Sequence, residues 1–147
     1  MTTIVYRDGV LASDSRAYSG DKTPIGWKKK IHRLADGTLL GVSTTSVGGD
    51  AQVRRWVEGG CQVVTNDSLK PESFTALMVR PDGGVFYASN NLEWSGPLTG
   101  AFWAIGSGEH FALGAMAVGA SAEQAVAAAI ELDPWSAGEI NILRREG

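Results

Sequence analysis

At 147 residues the chain is long enough to bury a core without staples, and it reads as one domain over residues 1–147. With 44% hydrophobic residues, 20% charged residues and a net charge of −3, it offers no basic surface for nucleic acid or an anionic membrane. Its single cysteine, Cys61, excludes an internal disulfide and fits a reducing, cytoplasmic compartment.

The chain opens Met1-Thr2-Thr3. A side chain as small as that of Thr2 normally lets the initiator methionine be clipped, which would leave Thr2 at the N-terminus. An N-terminal threonine carries a nucleophile, its hydroxyl, and a base, its own α-amine, on one residue. The amine suits the task because its ordinary pKa is about 7.7 to 8.0.

The run from Thr2 to Tyr6 is β-branched or aromatic, and Asp8-Gly9 predicts a hairpin into Val10-Leu11-Ala12. Charged residues from Arg7 to Arg16 and the lack of an apolar stretch exclude a signal peptide here. Tyr18 to Trp27, punctuated by Gly20, Pro24 and Gly26, reads as a loop. Lys30–Leu34 and Thr38–Thr44 are expected strands on either side of an Asp36-Gly37 turn. Val53, Trp56 and Val57 recur at helical spacing within 50–58, and Gly59-Gly60 supplies the stop.

Phe74–Val79 and Val85–Ala88 flank Pro81-Asp82-Gly83-Gly84, a second hairpin signature. Asn90 to Gly100 reads as a loop, and Phe102–Ile105 as a buried strand closing on Gly106-Ser107-Gly108. Phe111, Ala112, Ala115, Met116 and Gly119 then fall on one helical face. Ser121 and Gln124 form a capping box for a second helix with the stripe Ala125, Val126, Ala129 and Ile130, stopped by Asp133-Pro134. A last strand is expected over Glu139–Leu143. The order predicts an α+β fold in which antiparallel sheets are covered by helices.

Five segments, in order along the chain, resemble landmarks of one family: Thr2-Thr3-Ile4-Val5, Ala12-Ser13-Asp14, Lys29-Lys30-Ile31, Ala104-Ile105-Gly106-Ser107-Gly108 and Ser136-Ala137-Gly138-Glu139-Ile140. The family is that of the N-terminal-nucleophile hydrolases of the proteasome β-subunit class, the HslV type in particular. The resemblance implies a four-layer αββα sandwich. The chain departs from the family in one element: the stretch from Gly59 to Phe74 is too short to hold its second long helix, which is expected to be shortened or missing.

The same resemblance assigns roles. Thr2 would be the nucleophile of a threonine-type peptidase. Lys30 would favour the neutral amine and stabilise alkoxide character on the Thr2 hydroxyl, and Asp14 would hold Lys30 charged. Ser107 and Glu139 would hydrogen-bond around the amine and relay protons, Glu139 standing where the family usually has aspartate. The glycine-rich turn that supplies the family's oxyanion donor is replaced here by Ser43 to Asp50, which leaves the donor unassigned.

Protein or peptide substrates, a homo-oligomeric ring and a separate AAA+ ATPase unfoldase are implied as partners, with no nucleic acid and no membrane. No cofactor and no bound metal are expected, although HslV relatives can hold a cation on backbone oxygens matching 138–144. Two other readings stay open: an amidase acting on small amides, and a catalytically silent proteasome-like assembly protein.

Overall fold

The computed structural model describes residues 1–62 and 73–146. Strands β1 (Ile4–Arg7) and β2 (Val10–Ser13) form the opening hairpin. Its two-residue turn has positive φ at both Asp8 (51°) and Gly9 (77°), the geometry that matches the twist of the flanking strands. The later strands β10 (Phe102–Ile105) and β11 (Asn141–Arg144) add to its two edges, giving an antiparallel sheet of order β10-β1-β2-β11. A second antiparallel sheet has the order β5-β6-β7-β8-β9, with β5 (Ile31–Arg33), β6 (Leu39–Thr44), β7 (Phe74–Val79), β8 (Val85–Ser89) and β9 (Ser95–Leu98).

Side-chain alternation along these strands builds the layers, because successive residues point to opposite faces. Ile4, Tyr6 and Leu11 from the first sheet meet Leu39, Leu77 and Val79 from the second in a core between the sheets. Val5 and Ala12 point the other way and are covered by helices α2 (Glu109–Ala117) and α3 (Ala122–Leu132). Leu40, Val42, Ala76 and Met78 face outward from the second sheet onto Val53 of helix α1 (Gly49–Glu58). The result is a four-layer αββα sandwich. Each fully buried Ile or Leu between the sheets contributes about 1.5–3 kcal/mol. Gly41 lets the sheets approach, since a Cβ there would lie 2.7 Å from Ile4 Cγ2.

Two stretches expected as loops contain strands. Within Tyr18–Trp27, β4 (Pro24–Trp27) folds back on β3 (Arg16–Tyr18) as a separate two-stranded ribbon. Its turn is closed by Lys22 N–H to Ser19 O (2.9 Å) and Ser19 N–H to Thr23 O (2.9 Å). Arg16 stacks 5.1 Å from the Trp27 ring. Glycine and proline misled here because β4 is exposed along its whole length and lacks the apolar alternation by which strands are recognised. Within Asn90–Gly100, β9 is an edge strand, where Pro97 costs the ladder little.

The face of α2 is also shifted. Ala112 and Met116 are buried, but Phe111 is 41% exposed, and Gly119 lies beyond the helix at φ +105°. There Gly119 N–H reaches Met116 O and Ala120 N–H reaches Ala115 O, both at 3.0 Å, in a Schellman closure. The Arg7 guanidinium adds bonds to Met116 O (2.7 Å) and Ala120 O (3.1 Å). The capping box of α3 forms as expected from Ser121 and Gln124. The stretch 59–74, where the second helix is expected to be shortened or missing, falls largely outside the described residues. No helix among the described residues is long and apolar enough to cross a membrane.

Candidate active site around Thr2

The residues preceding β1 run into the interior: Thr2 is 4% exposed and Thr3 is fully buried. Thr3 N–H donates to Asp14 Oδ1 (3.0 Å), while Asp14 N–H donates to Thr3 O (3.2 Å), so the start of β1 is tied to the end of β2. The second carboxylate oxygen of Asp14 accepts from Ala137 N–H at 3.1 Å. With two backbone donors fixing it, Asp14 presents both oxygens to Lys30 Nζ, each at 3.0 Å.

Lys30 immediately precedes β5 and is 2% exposed. Its ammonium also lies 3.3 Å from Thr2 Oγ1 and 3.1 Å from Met1 O. Burial pushes the Lys30 pKa below its ordinary value, and the neighbouring Asp14 charge opposes that shift. Four of the five residues singled out from the sequence, Thr2, Asp14, Lys30 and Ser107, converge here.

Ser107 arrives from the other side, on the turn between β10 and α2. A Cβ on Gly106 would lie 2.0 Å from Thr2 O, and one on Gly108 would lie 1.9 Å from Thr3 Oγ1. Gly106 also has φ of +100°, which an L side chain rarely adopts. Both glycines are therefore required for the turn to lie against the N-terminal segment, and Gly108 N–H bonds Thr2 O at 3.2 Å. That contact puts Ser107 Oγ 3.0 Å from the backbone nitrogen of Thr2, which donates to it.

Behind Ser107 stands a residue that sequence reasoning missed. Asp133 Oδ2 accepts from Ser107 Oγ (2.7 Å) and Ser136 Oγ (2.7 Å), and Asp133 Oδ1 accepts from Trp135 N–H (3.1 Å). Ser136 Oγ in turn lies 2.6 Å from Thr3 Oγ1, which closes a ring of polar groups around the start of β1. Asp133 is 3% exposed; burial opposes its ionisation, but the hydrogen bonds from Ser136, Ser107 and Trp135 outweigh it and hold its pKa below the usual carboxylate value.

Aspartate followed by proline at a helix end reads as a stop signal, and Asp133 does terminate α3. The available clue was a second polar residue, Ser136, three positions on in the same turn.

Glu139 is not brought to this cluster. It is exposed and lines a shallow groove with Ser15, Trp27, Lys28, Lys29 and Asn141, and it makes no hydrogen bond or ion pair among the described residues. The expected strand start at Glu139 also fails, since β11 begins at Asn141. The positive φ of Gly138 (93°) turns the chain between the buried Ser136 and the exposed Glu139.

With Met1 present, the nitrogen of Thr2 is an amide. The Met1 carbonyl oxygen accepts from Thr2 Oγ1 (2.7 Å) as well as from Lys30, and burial together with the Lys30 charge lowers the pKa of the Met1 α-ammonium. Facing this segment is the turn from β6 into α1. Its Ser46 N–H is taken by Thr44 Oγ1 (3.1 Å) and its Gly49 N–H by Ser46 O (3.0 Å). The N–H groups of Val47 and Gly48 have no partner among the described residues. No group of three or more His, Cys, Asp or Glu side chains among those residues is placed to hold a metal ion.

No family model matches this sequence, and no curated protein matches it. Solved structures do. The BPH protein of Thiobacillus denitrificans, in complex with epoxomicin, is 20% identical with a TM-score of 0.67, over 99% of this chain and 99% of that chain. A eukaryotic HslV from Trypanosoma brucei is 16% identical with a TM-score of 0.68, over 97% and 98% of the two chains. A second BPH structure is 20% identical with a TM-score of 0.65, over 99% and 98%. The α+β sandwich is therefore the fold of these HslV and BPH structures.

Proposed function

We propose that this chain, built on the HslV-type fold, is a threonine-type peptidase whose nucleophile is Thr2 once Met1 has been removed. The observation that carries this reading is the placement of the Lys30 ammonium 3.3 Å from Thr2 Oγ1, locked there by a bidentate contact to the buried Asp14. A lysine this deeply buried is costly to keep charged, and its position beside a hydroxyl supports a role in stabilising developing negative charge there.

Removal of Met1 turns the Thr2 nitrogen from an amide into an amine and takes away the carbonyl that Thr2 Oγ1 bonds. The hydroxyl proton then passes to the α-amine as Oγ1 attacks the scissile carbonyl carbon. Collapse of the tetrahedral species breaks the C–N bond, and the α-ammonium returns the proton to the leaving amine. Water attacks the resulting ester, gives a proton to the same amine, and the acyl group departs from Oγ1 as that proton returns to it. Lys30 stays charged throughout. Ser107, hydrogen-bonded to Asp133, orients the amine, and an amide of the β6–α1 turn supplies the oxyanion donor.

The wider reading is a cytoplasmic homo-oligomeric ring that degrades protein or peptide substrates delivered by an AAA+ ATPase unfoldase. Confinement is the reason: an open site of this kind would cut cellular proteins indiscriminately.

The test is intact mass spectrometry before and after epoxomicin, the compound bound by the Thiobacillus BPH, together with hydrolysis of short fluorogenic peptides. Expected are loss of Met1, one adduct dependent on Thr2, and peptide cleavage. A retained methionine with no adduct would overturn the proposal and favour the silent assembly protein. Cleavage of small amides without cleavage of peptides would favour the amidase.

A further inference from the structure

Beside the N-terminus lies a cleft of about 430 Å³ between the Gly106–Glu109 turn and the adjoining ends of β6, β7 and β8. Met1 and Ser107 form its inner wall, which puts it against the position where the scissile bond would sit. Its remaining wall is rich in hydroxyls: Ser43, Thr44, Thr45, Thr75, Tyr87 and Ser89 all line it. Glu109 is the one acidic side chain in this wall, it is half-buried, and it makes no ion pair among the described residues. Such a wall disfavours an apolar side chain, whose entry would strip water from hydroxyls and leave them unpaired.

We infer that this cleft is the subsite for a substrate residue adjoining the scissile bond, and that it selects a cationic side chain, lysine or arginine, through Glu109. The inference rests on the peptidase reading and adds its substrate class. A long cationic side chain fits the wall in two ways. Its head meets the Glu109 carboxylate and the hydroxyl acceptors, and its methylene stem runs along the Tyr87 ring. An acidic side chain there would face Glu109 directly. Glu109 acts on specificity, and the bond-breaking groups remain Thr2 and Lys30.

The experiment digests a mixed peptide library with the Met1-free protein and reads the cut sites by mass spectrometry, for the wild type and for Glu109→Gln and Glu109→Lys. Thr2 labelling by epoxomicin is followed in parallel. Expected is enrichment of lysine and arginine at one fixed position next to the cut, with kcat/KM about fivefold higher than for glutamate there, the magnitude of a half-exposed ion pair. Glu109→Gln should erase the charge preference while neutral polar peptides are still cut, and Glu109→Lys should reverse it.

An apolar preference, or a cationic preference that both variants keep, overturns the subsite assignment while leaving the peptidase reading intact. Absence of both labelling and cleavage overturns the two together.

Discussion

Two carboxylates flank the start of β1 and are satisfied by different means. Asp14 meets a full positive charge, Lys30, and two backbone N–H groups. Asp133 meets two hydroxyls and one N–H, with no cation in hydrogen-bond contact among the described residues. The first arrangement is an ion pair withdrawn from water, where each partner justifies the burial of the other. The second is a hydrogen-bond acceptor that orients hydroxyls, one of which touches the Thr2 nitrogen. The comparison separates holding charge at the nucleophile from steering the base.

The sharpest division comes from Thr2→Ala. Peptide hydrolysis and epoxomicin labelling should fall by at least about 10³-fold. Urea denaturation should show little change in stability, since among the described residues the Thr2 hydroxyl hydrogen-bonds only Met1 O and Lys30.

Next in size is the ion pair. Lys30→Met leaves Asp14 buried without its cation and should cost about 3–5 kcal/mol in urea denaturation. Adding Asp14→Asn should restore a large part of that loss without restoring hydrolysis. Failure of the double variant to recover would mean the pair is not the coupled unit described.

Asp133→Asn should cost less, about 1.5–3 kcal/mol, because it weakens hydrogen bonds to a charged acceptor and leaves no ion stranded. Its pH signature differs as well. The folded pKa of Asp133 lies below the unfolded value of about 3.9, so its stabilisation is complete above that value and is lost as pH falls through the folded pKa. The stability gap between wild type and Asp133→Asn should therefore narrow below about pH 4.

Lys30 carries the same sign at the alkaline end of the scale. Its folded pKa lies below the unfolded value of about 10.4, so the folded state gives up the proton first and this group's contribution to stability rises toward alkaline pH. Acid titration of the two proteins by circular dichroism checks the first sign.

The smallest effect should come from Glu139→Gln. An exposed side chain with no partner among the described residues should change stability by less than about 0.5 kcal/mol, and hydrolysis by less than about twofold. A large loss of activity would return Glu139 to the site.

The sheets were legible where β-branched and aromatic runs are bounded by turn residues, even in strands whose two faces are both buried. Ile4, Tyr6 and Leu11 against Val5 and Ala12 are such cases, and the Asp8-Gly9 turn announces the hairpin that carries them. The β3–β4 ribbon was illegible because β4 is exposed along its whole length, and β9 because its glycine and proline are tolerated only at a sheet edge. Phe111 was placed on the wrong side of α2 because a ring of that size fits the 3.6 period equally well when exposed.

Residue type and local spacing by themselves determined the hairpin, the capping of α3 and the candidacy of Thr2, while Asp14, Lys30 and Ser107 were implied by the family resemblance. Those features depend on the backbone conformation and chemistry of a few consecutive residues. Only the tertiary structure decided which acid stands behind Ser107. Asp133 and Glu139 are six positions apart and chemically equivalent, and the choice between them depends on where Gly138 turns the chain and on how closely Gly106 and Gly108 let the β10–α2 turn approach Thr2 and Thr3.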